Sequence, residues 1–161
     1  MKKKTKNKDL KNGLPSFVRS NYLKQLKDKK FLKIYNKIKD ITLIDILRLY
    51  ELWYLIYQSS KLNDGVYLEV GAYKGGSSII IGSALNEFNI NKKLFIADTF
   101  DGVAKASSKD NKYIGGEHKF TDIDFIIKNL NKNNIANFEI LKGVFPDFNS
   151  KKIKDKIRFI H

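Results

Sequence analysis

The chain has 161 residues, 42% hydrophobic and 12% aromatic, with 31 Lys/Arg against 17 Asp/Glu. That length and composition describe a single globular domain with enough apolar side chains for a core, and exclude a disordered chain. With no cysteine, a disulfide framework and a thiolate zinc site are both ruled out, a usage that leans towards a cytoplasmic protein.

The net charge of +14 resembles a nucleic-acid signature until it is located. Residues 1–40 hold 14 Lys/Arg against 3 Asp, whereas residues 41–161 hold 17 against 14. The excess therefore belongs to a basic leader, which reads first as a solvated tail. Contact with nucleic acid, an anionic membrane surface or an acidic partner is the alternative use of such a tail. No recognisable nucleic-acid motif accompanies it. No apolar run reaches the roughly 18 residues of a membrane span, and no apolar stretch follows the basic N-terminus as a secretory signal requires.

In chain order, residues 1–13 read as a flexible tail, 14–62 as N-terminal helices and 63–161 as a partial Rossmann-like domain. From Ser16 to Lys39, Phe17, Tyr22, Leu23, Leu26, Phe31, Leu32 and Ile34 recur among lysines, the pattern of a basic amphipathic helix or two short ones that cover a neighbouring core. Thr42, with Asp45 three residues on, resembles a capping box and opens the next helix. Leu43, Ile46, Leu47, Tyr50, Trp53 and Leu55 give that helix a broad apolar face.

"NDG" at 63–65 breaks it, and "VYLEV" at 66–70 suits a buried strand. The alternation continues. "SSIIIGSALNEF" predicts a helix, "KKLFIADTF" a strand near 94–98, and residues 101–118 a long loop. "FTDIDFIIKNLNKNN" predicts a helix capped by Thr121, and "NFEILKG" a strand near 137–141. "SKKIKDK" predicts a helical turn or two, and "IRFIH" a strand at 157–161. This order predicts an α/β fold, a doubly wound parallel sheet with helices on both faces.

Such sheets bind ligands at the carboxyl ends of their strands, beside the point where strand order reverses. The stretch "YLEVGAYKGGSS" at 67–78 leaves the first strand and opens the following helix. Gly71 permits a sharp turn, Gly75 and Gly76 let a ligand approach the backbone, and the helix begun by Ser77 and Ser78 offers free N–H groups to an anion. A dinucleotide site usually wants G-x-G-x-x-G, but here the spacing is G-x-x-x-G-G, and Tyr73 stands where the second glycine belongs. Glu69 suits an ammonium group and repels phosphate, so the turn favours S-adenosylmethionine over NAD. Asp98, ending the second strand, can accept hydrogen bonds from both hydroxyls of a ribose.

With these residues in view, "LEVGAYKGGSS", "FIADTFDGV" and "FEILKGVFPD" resemble the macrocin O-methyltransferase-like branch of the class I S-adenosylmethionine-dependent methyltransferases, over roughly residues 40–161. The resemblance implies methyl transfer to a hydroxyl, often on a sugar or a glycosylated natural product and commonly assisted by magnesium. It also implies that Glu69, Gly71, Ala72, Tyr73, Gly75 and Ser77 surround the methionine part of the methyl donor, that Asp98 holds the ribose, and that Gly143 lies near the adenine.

Proteins of that family continue past the fourth strand with an aspartate-rich segment, further helices and three more strands, which carry the metal carboxylates and much of the acceptor site. This sequence stops at His161. The expectation is therefore a sheet without its C-terminal half, no magnesium ligands in the chain, and self-association or completion by another chain along an exposed edge. A hydroxyl acceptor needs a base or a metal to take its proton. Asp101, Asp110, Glu117 and His118 lie in or near the long loop; Glu117 and His118, in "GGEH", are the catalytic candidates. An O-methyltransferase, an inactive fragment of one, a non-catalytic nucleoside-binding module and a nucleic-acid-binding protein acting through its leader are the readings in play.

Overall fold

Asp28 opens the first helix. Its carboxylate accepts the backbone N–H groups of Lys30 and Phe31, which a helix start otherwise leaves unpaired. The computed structural model describes residues 26–161 apart from 63, 111 and 148. The expected tail at 1–13 and the apolar positions Phe17, Tyr22 and Leu23 lie outside the described residues. Helix α1 (Lys29–Ile38) buries Phe31 and Ile38 and turns its lysines outward, so this amphipathic face covers a core.

Helix α2 (Ile46–Ser59) is capped by Asp45, not Thr42 as the capping-box pattern suggests. The Asp45 carboxylate accepts from Leu47 and Arg48 N–H, while Thr42 Oγ1 takes the N–H of Ile44 in the preceding turn. Aspartate is a methylene shorter than the glutamate of a capping box. It reaches the N–H groups ahead of it more readily than the one behind. Leu47, Leu49, Leu52, Trp53 and Ile56 are buried, but Leu43 and Leu55, expected on the same face, are 64% and 41% exposed.

Four parallel strands follow: β1 (Val66–Val70), β2 (Leu94–Asp98), β3 (Phe138–Lys142) and β4 (Ile157–Ile160). They align in the order β3-β2-β1-β4, with Glu69 opposite Ile96 and Asp98 opposite Lys142. Helix α3 (Gly76–Glu87) joins β1 to β2, and α4 (Ile123–Lys132) lies between β2 and β3. The N-cap of α4 is Asp122, whose carboxylate accepts from Phe125 N–H, rather than the expected Thr121.

The main core packs residues of all four described helices against Tyr67, Leu94 and Ile96. Trp53 joins α2 to its neighbours, with its ring edge-on to Phe31 and Phe88. On the other face Val66, Leu68, Phe95, Ala97 and Leu141 lie under Phe145 and Ile153. Both residues belong to the β3–β4 connection, whose one regular piece among the described residues is a 3-10 turn, Ser150–Lys152. Among the described residues, the expected helices on both faces thus become helices on one. The steps from β1 to β2 to β3 run the same way, and right-handed crossovers place both connecting helices on the same side. Only the return to β4 crosses to the opposite face, along a lysine-rich segment with little to bury. Among the described residues, no helix is long and apolar enough to cross a membrane.

Candidate functional site

The strand order reverses at β1, with β2 on one side and β4 on the other. At the carboxyl end of β1 the chain turns through Gly71, at φ +94°, a conformation open to glycine and strained for other residues. A Cβ built there meets nothing within 4 Å, so the backbone faces open space at this point. Gly75 and Gly76 serve another purpose. A Cβ on Gly75 would lie 2.9 Å from Ile126 Cγ2, and one on Gly76 would lie 2.6 Å from Thr42 Cβ. These two glycines seat α4 and the α1–α2 linker against the turn. Of the three, Gly71 is the one whose missing side chain leaves open space.

Asp98 holds the turn together. Its Oδ2 accepts the backbone N–H of Ala72 at 2.7 Å and of Tyr73 at 2.8 Å, and Oδ1 accepts that of Phe100 at 2.7 Å. The tip of β2 is thereby tied to the glycine turn and to its own exit. Gly143, leaving β3, donates its N–H to the carbonyl of Asp98. Three strand ends converge on one carboxylate-bearing residue, a relation that spacing along the chain does not reveal.

Around this hub opens a cleft of about 540 Å³. Gly71, Ala72, Tyr73, Gly76, Ser77, Asp98, Glu117, His118 and Gly143 all line it; Gly75 does not. Sequence reasoning missed two walls. One is the α1–α2 linker, Ile41–Ile44, brought there by the seat of Thr42 on Gly76. The other is Val144 and Phe145 after β3, which the Gly143 motif could have indicated. The lining is predominantly apolar, the balance of a small-molecule site.

The long loop closes on itself at the cleft rim. Val103 N–H donates to Glu117 O, and Gly116 N–H donates to Val103 O. Glu117 is occupied on both oxygens, Oε1 by Ile114 N–H and Oε2 by Gly115 N–H. These backbone donors hold its carboxyl below the ordinary glutamate range. His118 is exposed, with its ring edge-on to Tyr73 at 6.0 Å and to Tyr113 at 5.8 Å. Lys105 latches the loop to Asp147 beyond β3 at 2.6 Å. Asp101 pairs with Lys119, and Asp110 accepts the Ser107 N–H; neither lines the cleft.

Glu69 is the surprise. Expected at the ligand, it is fully buried behind the turn and is not part of the cleft wall. Ser78 Oγ donates to its Oε2, while Oε1 has no hydrogen-bond partner and lies 3.5 Å from His161 Nδ1. Among the described residues, no group of three His, Cys, Asp or Glu side chains is placed to hold a metal ion.

A parallel sheet that reverses at β1, a glycine turn bound to a strand-end aspartate and a cleft over the strand ends define a Rossmann-like class of domain. Within that class, the model of the macrocin O-methyltransferase (TylF) family matches residues 39–149, and the chain belongs to this family. Among solved structures, the O-methyltransferase NovP superposes with a TM-score of 0.54 at 18% identity, covering 66% of this chain and 49% of NovP. At that identity the likeness is one of fold, and the chain spans about half the length of that relative. A search of curated proteins finds no match.

Proposed function

We propose that the cleft binds S-adenosylmethionine and that the protein transfers a methyl group to a hydroxyl of a sugar or a glycosylated small molecule. The observation that carries this reading is the turn itself: Gly71 opens onto free space while Asp98 fixes Ala72 and Tyr73 from beneath. The residues present fit the donor. Gly75, the N-cap of α3, supplies no side chain to the first-turn N–H groups, which leaves them for the methionine carboxylate beside Ser77. Asp98 Oδ1 accepts one N–H and keeps acceptor capacity for a ribose hydroxyl. Gly143, Val144 and Phe145 offer a glycine backbone and apolar side chains for an adenine.

The bound donor supplies a methyl group activated by a sulfonium. This chain's share is to orient it and to shield it from water. Of the two catalytic candidates in the loop, Glu117 is spent on loop closure, and His118 is the one free to meet an acceptor at the rim.

Calorimetric titration with S-adenosylmethionine and, separately, NAD tests the reading. The expected result is binding of the methyl donor alone, lost in Gly71→Val, whose side chain fills the open space, and weakened in Asp98→Ala. Circular dichroism monitors the fold of both variants. A folded chain that ignores S-adenosylmethionine, or prefers NAD, overturns the proposal.

A further inference from the structure

A buried carboxylate with one oxygen unpaired is costly, and natural folds rarely keep one without a use. Glu69 is such a group: its side chain is 0% exposed, Oε2 is held by Ser78, and Oε1 lacks a hydrogen-bond partner. The imidazole of His161 approaches Oε1, with Nδ1 3.5 Å away. His161 continues the line of β4. Its N–H donates to Leu68 O, and its carbonyl accepts Val70 N–H. Its backbone is thus fixed against the end of β1, on the side away from β2, where the sheet reverses. Val70, its pairing partner, lines the cleft.

We propose that Glu69 and His161 form an orienting pair. A small closing of the 3.5 Å gap lets Glu69 Oε1 accept the Nδ1–H of His161, which leaves Nε2 bare as a hydrogen-bond acceptor for a ligand hydroxyl. The ring is open to solvent for that task, since its side chain is 34% exposed. A neutral imidazole has one donor and one acceptor nitrogen, and the group bonded to one nitrogen sets the state of the other. Outer carboxylates that fix a functional histidine in this way recur in metal and hydrolase sites. Here Glu69 is a positioning residue, not a ligand contact, which accounts for its absence from the cleft wall. The proposal rests on the methyltransferase reading only in identifying the hydroxyl as the acceptor's; the tautomer is a property of the ligand-free protein.

The sequence contains two histidines, so long-range proton–nitrogen correlation spectra of histidine-labelled protein resolve both rings. The measurement is made well above the ordinary imidazole titration range. His161 is expected as the Nδ1–H tautomer. In Glu69→Gln, the amide oxygen stays with the Ser78 hydroxyl and the NH₂ faces Nδ1, so His161 is expected to switch to the Nε2–H tautomer while His118 is unchanged. Addition of methyl glucoside, a hydroxyl-rich probe, is expected to shift the bare Nε2 resonance of the wild-type chain. A wild-type His161 that is Nε2–H or averages both tautomers overturns the pairing, whether or not the variant folds. A Nδ1–H ring whose Nε2 is indifferent to the probe overturns the hydroxyl contact. Failure to bind S-adenosylmethionine, by contrast, moves neither tautomer result and bears on the earlier reading alone.

Discussion

Asp98 does two jobs that pull in the same direction. It accepts three backbone N–H groups around the turn and, in the function proposed above, keeps lone pairs for a ribose. Charge-assisted hydrogen bonds of this kind contribute more than neutral ones, so Asp98→Ala is expected to cost on the order of 2–4 kcal/mol of stability, measured by urea unfolding. Asp98→Asn, which keeps one acceptor oxygen, should lose less. Glu117 makes a different statement. Its folded-state pKa lies below the ordinary value because Ile114 and Gly115 N–H groups bind the charged form. Loop closure from this source is therefore complete above the ordinary glutamate range and is lost as pH falls through the folded value. Amide exchange at Ile114 and Gly115 should accelerate on that descent. Glu117→Gln should show faster exchange already at neutral pH, and equal rates in variant and wild type would sink the claim.

Among the elements, the contact between the α1–α2 linker and α3 is the narrowest. A methyl group at position 76 would press on Thr42 Cβ and its backbone, so Gly76→Ala is expected to destabilise by about 1–3 kcal/mol through overpacking. A Cβ at Gly82 would meet side-chain atoms of Ile135 at a similar 2.6 Å, but an isoleucine side chain can give way where a backbone cannot. Gly82→Ala should therefore be the milder change. Trp53, the only tryptophan, lies between α1 and α3 through Phe31 and Phe88, and its fluorescence reports both variants. The cap of α2 is tested in the same way: Asp45→Ala should cost about 1 kcal/mol, and Thr42→Ala should cost less, the reverse of the capping-box expectation.

For the molecule as a whole, β4 forms one edge of the described sheet, with Ile157 38% and Ile160 61% exposed. An edge of this kind invites pairing with another chain. The 161-residue chain is expected to associate in a concentration-dependent way in sedimentation experiments, and Ile160→Lys, a charge on that edge, should shift it towards monomer. Association unchanged by Ile160→Lys would direct attention to other surfaces.

The strands were legible in the sequence because β-branched runs between helix-period segments are local signals, and "VYLEV", "LFIAD" and "FEILK" carry them plainly. The turn at 67–78 and the aspartate at 98 were legible because the ends of parallel strands are where such chemistry collects. Family membership followed from the same short motifs. The tertiary structure alone decided what each polar group is used for. A helix cap depends on which N–H a side chain can reach, and this chose Asp45 over Thr42 and Asp122 over Thr121. A glycine's purpose depends on what stands opposite its missing Cβ, and this seated Thr42 on Gly76 and left open space at Gly71. Glu69 shows the limit most clearly: whether a strand-end carboxylate faces a cleft or a histidine depends on a residue that arrives 92 positions later, and spacing along the chain holds no record of that meeting.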